Sequence, residues 1–217
     1  MPRLPFIHFP GACYHITTRG NNRDQTFFEA NDYLRYLKRL SQTKEAVKFK
    51  LFAYCLMPNH AHLLIEVNKT PISKIMQSIQ TGYTMYFNKK YHHTGHVFHG
   101  RYHYFLVDKD NYLLSLIQYI HLNPIRANLV KNPGDYVWSS YLDIVNQNKS
   151  SFVDIEEILN LFTEVKESGV VGFKKFIQSW LPEKEDIFGN IKREIILGDS
   201  QFVKKVEGYF KQVKNRI

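Results

Sequence analysis

The run Tyr54-Cys55-Leu56-Met57-Pro58-Asn59-His60-Ala61-His62-Leu63-Leu64-Ile65-Glu66-Val67 constrains the fold more than any other stretch. It reads as strand, turn, strand. Pro58 and Asn59 supply turn geometry. The apolar, partly β-branched run after them has the character of a mostly buried strand. Alternate side chains of a strand point the same way, so His60 and His62 share a face and Ala61 lies on the other. Imidazoles roughly 6–7 Å apart along a strand can converge on one metal ion. They can equally be histidines satisfied by hydrogen bonds at a sheet end, so the pair alone does not decide its chemistry.

The flanking elements alternate in type. Ala12-Cys13-Tyr14-His15-Ile16-Thr17-Thr18 is a first strand, rich in β-formers. Arg19-Gly20-Asn21-Asn22-Arg23-Asp24 follows as a polar loop whose guanidinium and backbone donors suit phosphate or base contact. Asn31 or Asp32 can cap a helix over 31–47, with Tyr33, Leu34, Leu37 and Leu40 on its apolar face. Strand two spans 48–56 and strand three 60–67. Thr70-Pro71 opens a second helix, its stripe made by Ile72, Ile75, Met76, Ile79 and Tyr83. Residues 91–104 hold five His, two Gly and four aromatics, a composition suited to base stacking and backbone contact on single strands. Strand four is expected over 101–107. Asp108 or Asp110 then caps a third helix through Tyr112, Leu113, Leu116, Ile117 and Ile120. On it Tyr119 and Asn123 stand four residues apart, one above the other on a helix face. Pro124 disfavours helical geometry at Asn123, so a kink or stop is expected there. Trp138-Ser139-Ser140-Tyr141 reads as an apolar anchor.

Strand, helix, strand, strand, helix, strand predicts an α+β fold: a ferredoxin-like βαββαβ unit whose four-stranded antiparallel sheet has strand three in a central position. The helix carrying Tyr119 follows it, and amphipathic segments at 153–162, 173–181 and 192–213 make a C-terminal helical region, with a joint at 182–185. Two units are expected, 1–150 and a helical extension over 151–217.

The charge follows the same division. Net charge is +9. Residues 1–150 carry 18 Lys and Arg against 9 Asp and Glu, whereas 151–217 carry 11 of each. All ten histidines also lie before residue 150. An anionic partner bound by the first unit is therefore expected. No stretch approaches the roughly 20 apolar residues of a membrane span, and the N-terminal residues lack a signal-peptide core. Cys13 and Cys55, both in apolar strands, read as buried free thiols of a cytoplasmic protein.

Five motifs stand in one order: Tyr14-His15-Ile16-Thr17-Thr18-Arg19-Gly20-Asn21-Asn22, Leu56 to Leu64, Thr94 to Tyr102, Tyr119-Ile120-His121-Leu122-Asn123-Pro124-Ile125-Arg126-Ala127, and Trp138 to Tyr141. Together they resemble the REP-associated tyrosine transposases, relatives of the single-tyrosine HUH transposases, over about residues 10–142, and more weakly around 197–203. The resemblance implies a metal-dependent nuclease and strand transferase acting on single-stranded DNA beside hairpins of palindromic repeats. It implies Tyr119 as nucleophile and His60 and His62 as metal ligands. Asn123 stands where many relatives have Gln completing the metal site. Mg²⁺ or Mn²⁺ is the family expectation. Arg19, Asn21, Asn22, Arg23, Arg101 and Arg126 are the candidate DNA contacts. A bacterial, nucleoid-associated location and a monomer or homodimer follow from the same likeness.

The residue types suit that chemistry. A phosphodiester is anionic and repels nucleophiles, and a divalent ion on a non-bridging oxygen offsets the charge. Tyrosine, with an ordinary pKa near 10, needs cationic surroundings to attack as phenolate. Two other classes use the same residues: a non-catalytic nucleic-acid-binding regulator needing no metal, and a metal-dependent hydrolase that activates water and leaves Tyr119 structural.

Overall fold

The computed structural model describes residues 7–162, 168–179, 191–192 and 195–214. The expected joint at 182–185 and the N-terminal residues 1–6 lie outside the described residues.

Strand β1 is Cys13–Arg19, β2 is Lys50–Met57, β3 is His60–Glu66 and β4 is His103–Val107. They lie side by side in the order β2-β3-β1-β4, every neighbouring pair antiparallel. β3 is thus central, as the sequence pattern requires. Helix α1 (Ala30–Val47) links β1 to β2, and α2 (Ile72–Tyr91) links β3 to β4. The tight β2–β3 turn is made by Pro58 and Asn59 alone.

Burial follows the period of each element. β2 is buried at every residue except Lys50, and β3 from Ala61 to Ile65. Strands covered on both faces read as nearly continuous apolar runs. α2 buries the whole expected stripe of Ile72, Ile75, Met76, Ile79 and Tyr83. α1 differs from its expected face: Tyr33, Tyr36 and Leu40 are buried, whereas Leu34 is 54% exposed. The stripe runs through Tyr36 because Tyr33, Tyr36 and Leu40 recur every three to four residues, whereas Leu34 sits about 100° further round the helix. α1 begins at Ala30, and Asp32 caps it from within the first turn by accepting from the amides of Phe28 and Glu29. Tyr86, Lys90 and Tyr91 of α2 also converge on this buried carboxylate, joining the two helices.

Helix α3 (Lys109–Arg126) continues unbroken through Pro124, where a kink or stop was expected. Pro124 costs one intrahelical donor, and it falls in the last turn, where few further bonds depend on it. The side chain of Asn123 adds a bond to the Tyr119 carbonyl at 2.8 Å. α3 packs across β2 and β3. It is held there at two points away from β3. Gln118 donates to the Phe176 carbonyl at 2.5 Å, and His121 Nε2 bonds Ser140 Oγ at 2.7 Å.

The expected anchor at Trp138 forms a strap along β2. Leu56 N–H donates to Trp138 O at 2.9 Å, Tyr54 N–H to Ser140 Oγ at 3.0 Å, and Trp138 stacks on Tyr33 at 4.4 Å. An otherwise open sheet edge is thereby closed. After the strap come helix α4 (Tyr141–Val145) and, in the tail over 151–217, α5 (Ile155–Asn160), α6 (Gly169–Gln178) and α7 (Ser200–Lys214). The tail also contributes two short strands that the helical periodicity did not signal, β5 (Ile191–Lys192) and β6 (Ile196–Leu197). β6 adds to β4 in parallel, so the sheet has six strands in the order β2-β3-β1-β4-β6-β5.

Candidate active site

β3 places His60 opposite Arg19 and Met57, and His62 opposite Thr17 and Cys55. Alternation puts His60 and His62 on the face that α3 covers, with His15 and Thr17 beside them on β1. The rings of His60 and His62 are 4.9 Å apart and nearly perpendicular. Tyr119, half-buried on α3, meets His62 edge-on at 5.8 Å and His15 at 5.9 Å. Arg126, two turns further along, lays its guanidinium 4.9 Å above the Tyr119 ring.

The Nδ1 atoms of both β3 histidines are occupied. Asn59 Nδ2 donates to the Arg23 carbonyl, which fixes the amide so that Oδ1 faces His60 Nδ1 at 2.6 Å. Oδ1 can only accept, so His60 carries its proton on Nδ1 and its lone pair on Nε2. His62 Nδ1 lies 3.1 Å from His15 Nε2 and 3.3 Å from Thr17 Oγ1. Burial, reinforced by the nearby Arg19 charge, lowers His60 from 6.5 to about 4. Burial first, then the neighbouring His15 and His60, holds His62 well below its ordinary value. Burial lowers His15 to about 4. All three rings are therefore neutral near pH 7, the form in which imidazole ligates metal.

These donors fit a divalent cation. Two neutral imidazoles share a face, and Asn123, one turn beyond Tyr119 on α3, donates its Nδ2 to the Tyr119 carbonyl, leaving Oδ1 as the acceptor of the amide. Among the described residues no cluster of three or more His, Cys, Asp or Glu side chains could hold a metal. The remaining positions would fall to water or substrate oxygens, as a site that handles phosphate requires.

Around the His pair three backbone segments are clipped together. Gly20 N–H donates to Asn59 O at 2.8 Å, Asn21 N–H to Val97 O at 3.0 Å, and His99 N–H to Arg19 O at 2.8 Å. Gly20 is required at this crossing because a Cβ there would collide with the Asp24 carbonyl. Asn22 and Arg23 adopt left-handed backbone conformations in a short 3₁₀ turn. Arg19, Asn22, Arg23 and Arg101 are exposed, and Asn21 is half-buried. The first four candidates, Arg19 to Arg23, thus rim the His pair. Arg101 follows the His99 clip, and Arg126 stands over Tyr119 rather than on that rim. Asn59, Thr17 and His15 enter the site without having been singled out from sequence. The available signal was the alternation His15-x-Thr17, which mirrors His60-x-His62 on the neighbouring strand.

Residues 9–123 match the family model described as "Transposase IS200 like". A curated relative from Haemophilus influenzae, described as a REP-associated tyrosine transposase, is 26% identical over 144 residues, covering 60% of this chain and 80% of that protein. The solved structure of a REP-associated tyrosine transposase bound to a REP hairpin aligns with a TM-score of 0.59 at 17% identity, covering 71% of this chain and 93% of that one. That likeness is one of fold.

Proposed function

The chain belongs to the IS200-like transposase family, and within it we propose a metal-dependent, single-stranded DNA endonuclease and strand transferase that works through a 5′-phosphotyrosine. The observation that carries this proposal is the placement of Tyr119 edge-on to His62 with Arg126 over its ring. His60 and His62, through Nε2, and Asn123, through Oδ1, would hold Mg²⁺ or Mn²⁺. When bound, the ion offsets charge on a non-bridging phosphate oxygen.

The chain's own residues supply the rest. Tyr119 Oη forms a bond to phosphorus as the bond from phosphorus to the 3′-oxygen breaks. The phenol loses its proton and the leaving 3′-oxygen gains one. Arg126 puts a fixed positive charge beside the ring where negative charge develops. Arg19, Arg23 and Arg101 hold the strand by its phosphates, with Asn21 and Asn22 beside them. The phosphotyrosine retains the energy of the broken diester, so a second 3′-hydroxyl can reverse the step and join strands. The hairpin bound by the structural neighbour supports a DNA hairpin as substrate here. We assign the chemistry to residues 1–150, with α6 supporting α3 through the bond from Gln118 to the Phe176 carbonyl.

Incubation of an end-labelled hairpin oligonucleotide with Mn²⁺, followed by denaturation, tests the proposal. Wild type should give a shifted covalent band and a 3′-end that a polymerase extends. Tyr119→Phe should fold and bind DNA but form no band. A persisting band would move the nucleophile elsewhere. Cleavage by wild type without any band would favour the water-activating hydrolase.

A further inference from the structure

The candidate metal ligand His62 does not stand alone on its strand face. His15 lies beside it edge to edge, with ring centroids 5.3 Å apart and planes 10° from parallel. The contact joins nitrogen to nitrogen, His15 Nε2 to His62 Nδ1 at 3.1 Å. Both rings are buried, at 1% and 5% exposure, so bulk water cannot exchange freely into this bond.

Two neutral imidazoles in such contact have only two arrangements. Either His15 donates from Nε2–H and His62 accepts, or His62 donates from Nδ1–H and His15 accepts. The first leaves the His62 proton on Nε2, where it blocks a metal. The second leaves the lone pair on Nε2. His60 is already forced into the second form by Asn59. A matched pair of ligands needs His62 in the same form.

We propose that His15 is a positioning residue: its Nε2 accepts the Nδ1 proton of His62, fixing the tautomer and tilt that turn His62 Nε2 toward a divalent cation. The proposal rests on the metal site assigned above. Thr17 Oγ1, next along the same strand face, lies 3.3 Å from the same nitrogen. His15 is itself clamped. Phe105 of β4 stacks on it at 6.1 Å and Tyr119 meets it edge-on at 5.9 Å. One buried ring therefore sets both the ligand and the wall against which the candidate nucleophile rests. A hydrogen-bonded outer partner of a ligating histidine is commonly worth 10–100-fold in metal affinity.

The first test uses full-length, metal-free wild type labelled with ¹⁵N-histidine. Long-range ¹H–¹⁵N spectra, with His62 assigned by loss of its signals in His62→Gln, should show His62 protonated on Nδ1. Protonation on Nε2 would overturn the proposal without any variant of His15. The second test is Mn²⁺ titration by electron paramagnetic resonance, without DNA. His15→Leu, which fills space but accepts nothing, should weaken Mn²⁺ binding about 10–100-fold. His15→Gln, which keeps an acceptor, should return to within a few-fold of wild type. Unchanged binding in His15→Leu, or loss in both variants alike, would overturn the role of His15. If wild type itself binds no Mn²⁺, the metal assignment fails instead. The tautomer spectrum still decides whether His15 accepts from His62.

Discussion

Acid should unfold this protein well before its carboxylates are protonated. Four histidines fold in the neutral form. Burial is the leading cause at each: His15 and His60 are lowered from 6.5 to about 4, His121 to about 3, and His62 falls well below 6.5. In the unfolded chain each ring takes a proton near 6.5, whereas in the folded chain His15, His60 and His121 take none until about 4 or below, and His62 is shifted in the same direction. Their stabilising effect is therefore complete above 6.5 and is lost as pH falls from there toward 4. Integrated from pH 7 to 5.5, one such ring costs about 1.2 kcal/mol. The three rings His15, His60 and His121 together cost about 4 kcal/mol, a large part of the stability of many domains, and His62 adds to this in the same direction. For a chain of this length that corresponds to a fall in melting temperature of roughly 7–15 °C. Urea unfolding at constant ionic strength with chelator, followed by far-ultraviolet circular dichroism at pH 7.0, 6.0 and 5.5, measures it. His121→Gln keeps a partner for Ser140 and should remove about one ring's share, near 1.2 kcal/mol, from the pH dependence. A total change below about 1 kcal/mol would refute the reasoning, since the rings would then titrate alike in both states.

His60→Ala/His62→Ala should fold, bind single-stranded DNA and lose all divalent-dependent cleavage. Full cleavage by it, or by wild type in excess chelator, would remove the metal assignment. Arg126→Gln should slow adduct formation about 10-fold or more by deleting the charge over Tyr119, with melting temperature unchanged. Equal single-turnover rates would show the contact to be incidental. Arg19→Ala, Arg23→Ala and Arg101→Ala should each reduce the slope of log affinity against log salt by about 0.7 for single-stranded DNA, and an unchanged slope would exclude that arginine from phosphate contact. Asp154→Ala should destabilise the fold by about 1–3 kcal/mol, because Asp154 accepts from both Lys44 Nζ and Leu51 N–H. A denaturation midpoint equal to wild type would refute it.

The strands and linking helices were legible because their burial has a clean period. His60-x-His62, the α2 stripe and the β2–β3 turn each follow from two or three residues in local pattern. The face of α1 was misplaced where Leu34 and Tyr36 compete, since hydrophobicity alone does not tell which of two neighbouring positions meets the core. Local preference at Pro124 predicted a break, but α3 continues through it for its last two residues, Ile125 and Arg126. β5 and β6 are two residues each, too short to show alternation, and they exist because β4 offers a free edge. In the site, Tyr119 and the His pair stood out by motif. His15, Thr17 and Asn59 did not, because their importance lies in register: only the pairing of Thr17 with His62 reveals what touches the second histidine.

The chemistry proposed for this site depends on groups well outside it. A histidine ligand must be neutral, and what keeps His62 neutral is burial on a strand with neighbours on both sides and a helix above. That burial comes from the strand order, which puts β3 between β2 and β1. The nucleophile must also stand still beside it, yet the hydrogen bonds that seat α3 are remote. Gln118 reaches the carbonyl of Phe176 in α6, and His121 reaches Ser140 on the strap along β2. Glu157 of α5 joins Lys50 of β2 to Lys109 at the start of α3. The tail carries no net charge and none of the candidate ligands. It nevertheless holds β2, which pairs with the strand that carries the histidines, and α3, which carries Tyr119. A loss of cleavage on damage to the tail would therefore report on the seating of Tyr119 before it reported on DNA binding.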